Sequence, residues 1–151
     1  MKVLIVDDEE MIRNVLKEYV EFEGNQAFEA ADGMEAVRLC RENDYDIILM
    51  DVMMPRLDGF SAVKEIKKIK DIPVIMLSAR GEEYDKLFGF EIGVDDYVTK
   101  PFSPKEVMAR INVVTKRRNQ KDETGDVVTF EGLTVDMAGR NVFVDGEKVD
   151  L

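Results

Sequence analysis

Five residues gain chemical meaning from what precedes them. Asp7-Asp8, Asp51, Ser78 and Lys100 directly follow short apolar or β-branched runs: KVLIV at 2–6, DIILM at 46–50, VIML at 74–77 and YVT at 97–99. If those runs are neighbouring strands of one parallel sheet, three carboxylates, a hydroxyl and an ammonium converge on its carboxyl edge, where open α/β sheets place their ligands. Crowded carboxylates raise one another's pKa unless a cation sits among them. Such an oxygen set suits Mg2+, which takes one or two carboxylates, keeps several waters and often bridges to phosphate. Lys100 adds a second positive point and Ser78 a hydrogen-bond donor. Together they resemble the equipment of phosphoryl transfer, where positioning and charge neutralisation do most of the catalysis. Taken singly, each has an ordinary reading. Asp8 would be a helix cap, Ser78 a turn residue and Lys100 a solvated charge, with Tyr97 and Phe102 as half-buried packing. The joint placement is what favours function.

The elements that must position these groups follow from two alternating periods. Five strand-like runs, with Gln26–Ala30 as the second, are separated by helical spacings: Met11, Val15, Leu16, Tyr19 and Val20; then Ala36, Val37, Leu39 and Cys40. Further sets are Phe60, Val63, Ile66 and Ile69, then Leu87, Phe88, Phe90 and Ile92, then Val107, Ile111 and Val114. Three strands are continuously apolar, as strands covered on both faces are. Strand–helix repeated five times predicts a doubly wound α/β fold. The right-handed crossover rule favours a flavodoxin-like five-stranded parallel sheet of order 2-1-3-4-5. Asp32-Gly33 and Asp58-Gly59 are expected helix starts, Ser103-Pro104 another, and Glu23-Gly24-Asn25 ends the first helix. Met11, Met50, Met53, Met54 and Met76 are expected as core or site-wall residues, and Cys40 as helix packing only.

Composition narrows the chemistry. The 151 residues include 32 Asp+Glu against 21 Lys+Arg, a net charge of −11, which disfavours nucleic-acid binding by these residues themselves. With no His and one Cys, a Ser-His-Asp triad, a Cys-His dyad, His-ligated zinc and an internal disulfide are all excluded. For the same reason any phosphohistidine must come from another molecule. No apolar run approaches the roughly 18–20 residues of a membrane span. The N-terminus runs from one Lys and a short apolar stretch into acids, unlike a signal peptide. A cytoplasmic location is the expectation.

Beyond Arg118 the pattern changes. Residues 119–126 (NQKDETGD) are polar and aperiodic and are expected to be a linker between a domain at 1–118 and a piece at 127–151. That piece has four short β-like runs separated by Gly-containing turns, Asp145-Gly146 being a strong hairpin signal. It is expected to form a short antiparallel β platform that packs on the rest of the chain or on another molecule.

The motifs LIVDDEE at 4–10, DIILMDVMMPRLDG at 46–59, IPVIMLSARGEE at 72–83 and GVDDYVTKPFSPKEVMARI at 93–111 resemble, in order and separation, those of response-regulator receiver domains. The last block, and the tail FEGLTVDMAGRNVFVDGEKVDL, resemble the OmpR/PhoB subfamily, whose output domain is a DNA-binding winged helix. The resemblance implies that Asp51 accepts a phosphoryl group from a sensor histidine kinase. Asp7, Asp8, Asp51 and the backbone carbonyl of Met53 would hold Mg2+. Lys100 would pair with a phosphoryl oxygen, and Ser78 would bond another after moving inward. Tyr97 would follow Ser78 by changing rotamer, and Lys100-Pro101 would be a cis bond. Met53 and Arg80 would tune the lifetime of the acyl phosphate. A homodimer would form through the fourth helix, fifth strand and fifth helix, using Lys86, Asp95, Asp96, Glu106, Arg110 and Arg117. Residues 127–151 would be a truncated start of the winged-helix domain, so that DNA is bound only by a part beyond Leu151. Ser78 stands where many relatives have Thr, a conservative departure.

The implied activity is a phosphoacceptor switch with self-phosphorylation and dephosphorylation, not turnover of a substrate. Three alternatives compete. An aspartate-nucleophile phosphatase would need a second acid two residues after the nucleophile, where Met53 stands. A flavin carrier would need a phosphate cradle after the first strand, where Asp7-Asp8-Glu9-Glu10 would repel it. A phosphorylation-independent docking module would have no use for the complete acceptor set.

Overall fold

The computed structural model describes residues 1–78 and 90–127. The elements are β1 (Lys2–Val6), α1 (Glu10–Phe22), β2 (Gln26–Ala30), α2 (Gly33–Glu42), β3 (Ile47–Asp51), α3 (Gly59–Lys67), β4 (Val74–Ser78), β5 (Asp96–Thr99) and α4 (Pro104–Val127). All strand pairs are parallel, in the order β2-β1-β3-β4-β5, as the alternation of periods predicts. Phe90 and Glu91 are helical, but the rest of the helix expected around 87–92 lies largely outside the described residues. So do Arg80, Lys86 and the expected β platform at 127–151, apart from Val127. Among the described residues no helix is long and apolar enough to cross a membrane.

The continuous apolar strands have a direct cause, since both faces of the sheet are covered. Val3, Ile5, Ile47, Leu49, Ile75, Leu77 and Val98 pack against Leu16 and Val20 of α1 and Val107, Met108, Ile111 and Val114 of α4. The alternate residues Leu4, Val6, Ile48, Met50, Val74, Met76 and Tyr97 face Ala36, Val37 and Cys40 of α2 and Ala62, Val63 and Ile66 of α3. Burial of each such aliphatic side chain contributes about 1.5–3 kcal/mol, which holds the strand ends in place. Cys40 belongs to this packing, and burial pushes its thiol up to about 11, so it stays protonated and inert at neutral pH.

The helix starts are built as their residues suggest. Asp32 Oδ1 accepts the Glu35 amide at 2.9 Å, and Asp58 Oδ1 accepts the Ser61 amide at 2.9 Å. Pro104 opens α4, where its missing N–H costs nothing. Gly24, with φ +87°, reverses the chain after α1. One expectation changes. Residues 119–126 are helical, because α4 runs on to Val127. The stretch's Gln, Lys and Glu favour a helix and its Asn, Asp, Thr and Gly do not, so the loss of apolar periodicity does not by itself mark the end of a helix. Residues Met1–Thr115 form one compact unit; a second begins at Lys116.

Two glycines are required by close approach. A Cβ at Gly59 would overlap the carbonyl oxygen of Asp51, and one at Gly33 would overlap that of Leu57. Because the obstacle is backbone in both cases, Gly59→Ala is expected to cost about 2–3 kcal/mol, the range of an overpacked site. The check is the urea midpoint; an unchanged midpoint would show that the Val52–Asp58 loop yields freely.

Candidate functional site

The strand register assembles the site. β1 pairs with β3 up to Val6–Met50, so one step further Asp7 stands beside Asp51. β4 pairs with β5 up to Ser78–Thr99, which places Lys100 just past that edge. Asp51 and Ser78 are the last residues of their strands, not the first beyond them as the sequence pattern suggests. Their backbones are therefore held by ladder hydrogen bonds as well as by the loops.

Asp7 is fully buried, and Asp51 and Ser78 are 4% and 3% exposed; among the described residues these are the only buried polar side chains. Buried charge is costly unless paired. The pairing here is Lys100, whose Nζ lies 3.1 Å from Asp7 Oδ2 and 3.2 Å from Asp51 Oδ1. The other Asp7 oxygen accepts the Glu9 amide at 2.9 Å, and Arg13 Nη1 donates to the Asp7 backbone carbonyl at 2.7 Å. The Lys100 amide donates to the Ser78 carbonyl at 2.7 Å, and the Lys100-Pro101 bond is cis.

Electrostatics set the proton affinities. Burial, reinforced by the neighbouring Asp7 charge and only partly offset by Lys100, pushes the Asp51 carboxyl up to about 6. Burial opposes the Lys100 charge, but its bonds to Asp7 and Asp51 outweigh that and raise its pKa. One ammonium therefore does not neutralise the acids fully. Carboxylate oxygens of Asp7, Asp8 and Asp51 all lie within 4.8 Å of one another, with Asp8 exposed. Two buried oxygens, one exposed oxygen and an open side for water fit a hard divalent cation such as Mg2+.

The remaining expected residues divide. Tyr97 is buried, not half-buried: its ring stands 5.5 Å from Phe90 and 6.5 Å from Phe60, on the same sheet face as Ser78. Phe102 is partly buried, as expected. Met53 lies in the loop after Asp51 and is 59% exposed. Of the interface candidates, Asp96 and Arg110 pair within the chain at 2.9 and 3.0 Å, and Arg110 Nη2 lies 3.5 Å from Glu106. The Asp95 carboxylate accepts the Val74 amide at 2.8 Å. Arg117 is exposed.

A surface beside the acids escaped the sequence reading. Met11, expected as a core or site-wall residue, is 76% exposed, and with Ile12, Val15, Lys100, Pro101, Phe102 and Pro104 it lines a largely apolar groove. The available signal was an α1 stripe with more apolar residues than the two that are buried, Leu16 and Val20.

A model of the response regulator receiver domain matches residues 3–112. The chain belongs to that family. As a receiver it is 43% identical, across 99% of its length, to the probable transcriptional regulator ycf27 of Guillardia theta. It is 40% identical, over the same share, to the transcriptional regulatory protein SrrA of Staphylococcus aureus. It spans 61% and 65% of those two proteins' lengths. Both are transcriptional regulators, in keeping with the resemblance carried by the motifs. Among solved structures, the receiver domain of Francisella response regulator 1452 superposes with a TM-score of 0.73 at 44% identity, over 78% of this chain and 98% of that one. The receiver domain of the sensor histidine kinase PA1611 of Pseudomonas aeruginosa superposes with a TM-score of 0.70 at 31% identity, over 76% and 97%; its structure has a magnesium ion coordinated in the active site cleft.

Proposed function

We propose that this receiver is a phosphorylation-controlled switch in which Asp51 accepts a phosphoryl group from a sensor histidine kinase, with Mg2+, and thereby biases a dimer that controls transcription. The observation that carries the reading is the buried Asp7–Asp51 pair bridged by Lys100 at an edge that opens to solvent at Asp8. Asp7, Asp8, Asp51 and the Met53 carbonyl would hold the cation, which supplies charge neutralisation for the incoming phosphoryl group. The magnesium in the PA1611 receiver supports this assignment.

In the transfer, an Asp51 carboxylate oxygen attacks phosphorus. The new O–P bond forms as the donor's N–P bond breaks, and the electron pair stays on the leaving imidazole nitrogen, which takes up a proton. Lys100 turns from its carboxylate partners toward a phosphoryl oxygen, Ser78 donates to another, and Tyr97 adjusts on the same face. Met53 and Arg80 would tune the lifetime of the product, as the resemblance implies. The groove along Met11, Ile12, Val15 and Phe102 is continuous with Lys100 and suits an apolar helical face of the donor protein. The product adds roughly −1.5 to −2 charge to one edge, and the receiver acts as a switch instead of turning over a substrate. Lys86, Asp95, Asp96, Glu106, Arg110 and Arg117 belong to the dimer face; single exposed pairs there contribute at most about 1 kcal/mol and favour register over affinity. DNA contact belongs to an output portion not contained in these residues, consistent with the net charge of −11.

The test is incubation with acetyl phosphate and Mg2+, followed by peptide mapping. One phosphoryl group should appear on the Asp51 peptide and should not form when the cation is chelated beforehand. Labelling elsewhere, or labelling indifferent to chelation, would overturn the assignment.

A further inference from the structure

We infer that Arg56 is a positioning residue for the metal side of the site, its ion pair with Asp32 fixing the 52–58 loop that carries the Met53 carbonyl; the inference rests on the receiver reading above. Arg56 forms its hydrogen bonds and ion pair with Asp32, not with the acid cluster. Its Nε and Nη2 both reach Asp32 Oδ2, at 3.1 and 2.7 Å, while Asp32 Oδ1 caps α2 through the Glu35 amide at 2.9 Å. One carboxylate thus joins the loop after Asp51 to the start of the neighbouring helix.

Several observations set this pair apart from an ordinary surface contact. Arg56 is the only non-glycine with positive φ among the described residues, at +69°, a conformation that needs compensation. The next residue, Leu57, sets its carbonyl against Gly33 so closely that a side chain there would not fit. At the loop's base, the Gly59 amide donates to the Val52 carbonyl at 2.9 Å, and Gly59 leaves no room beside the Asp51 carbonyl. The loop is therefore tethered at its base and at two consecutive residues near its far end, with Met53 between. Asp32 is the more covered partner, its side chain 14% exposed against 64% for Arg56. Burial opposes the Asp32 charge, but the Glu35 amide and the Arg56 guanidinium outweigh it and hold the carboxyl below its usual range. An exposed ion pair of this kind adds little stability, so its consequence lies in where it holds the loop.

Calorimetric titration of the chain with Mg2+ tests this, alongside melting of the metal-free protein. Arg56→Gly should weaken Mg2+ binding about three- to tenfold, less than the roughly 10–100-fold seen when a partner of a ligand is removed directly. Its metal-free melting temperature should hold or rise, because glycine accepts φ +69° freely. Arg56→Lys, which keeps a cation within reach, should retain most of the affinity. Asp32→Ser, which keeps a capping oxygen for Glu35, should weaken Mg2+ binding as Arg56→Gly does, and the double variant should lose no more than either single one. Unchanged Mg2+ affinity in Arg56→Gly, or losses that multiply in the double variant, would overturn the inference. A parent chain that does not bind Mg2+ would overturn the receiver reading and this inference with it.

Discussion

Asp51→Asn is expected to abolish phosphoryl uptake from acetyl phosphate and Mg2+ while making the metal-free domain more stable near neutral pH. The first effect follows from the nucleophile: an amide oxygen carries no charge and cannot form a stable acyl phosphate. The second follows from burial. The Asp51 carboxyl sits at about 6 in the fold against 3.8 as its ordinary value, so the folded state holds a proton through a window in which the unfolded chain has released it. Stability from this group is therefore complete below the unfolded value and is lost as pH rises to the folded one. At about 1.4 kcal/mol per unit, the loss by pH 7 is about 2–3 kcal/mol. Asn never ionises and removes that slope. Urea denaturation between about pH 4 and 7 in chelator should show the parent falling relative to the variant, and Mg2+ should narrow the gap by binding the charged form. Parallel profiles would mean that Asp51 is better solvated than its 4% exposure indicates.

The second large effect belongs to Lys100. Lys100→Met keeps the length of the side chain and removes the charge that lies 3.1 and 3.2 Å from two buried carboxylates. Removing one partner of a buried ionic cluster costs about 3–5 kcal/mol, because the charge left behind is uncompensated. In metal-free buffer at neutral pH the variant should lose that order of stability, and it should recover more of it on adding Mg2+ than the parent gains. Phosphoryl uptake should slow by about 10²–10³-fold, the usual effect of deleting one preorganised charge aimed at the transition state. Denaturation with and without Mg2+, and the rate of labelling by mass spectrometry, read the two effects separately. A variant as stable as the parent without metal would show that Asp7 and Asp51 do not share the burden of burial.

Much of this site is legible in one dimension, for a specific reason. A parallel sheet covered on both faces needs strands apolar at every position, and the chain departs from that pattern just where the strands reach the open edge. Asp7, Asp51, Ser78 and Lys100 are those departures, so their types and positions announce an oxygen-rich anion and cation site before any geometry is known. The Asp-Gly pairs at 32–33 and 58–59 are legible in the same way, since capping is local chemistry. So is the strand order, because handedness leaves few ways to wind five such units.

Other features depend on distance in space and have no local signature. Helical spacing alone cannot say that Leu16 and Val20 are buried while Met11 and Val15 stay exposed and line a groove with Lys100. Apolar periodicity fails over 119–126, where the backbone continues as a helix. The pairing of Asp96 with Arg110 inside one chain is invisible in a map of surface charges. The same holds for Arg56 and Asp32, separated by 24 residues and joined by a left-handed backbone that no residue type in the loop advertises. The sequence by itself determined the fold class and the chemistry at the strand ends, because periodicity and capping act over a few residues. Only the tertiary structure decided how deeply each charge is buried and which cation faces it, because those depend on elements that meet only when the sheet closes.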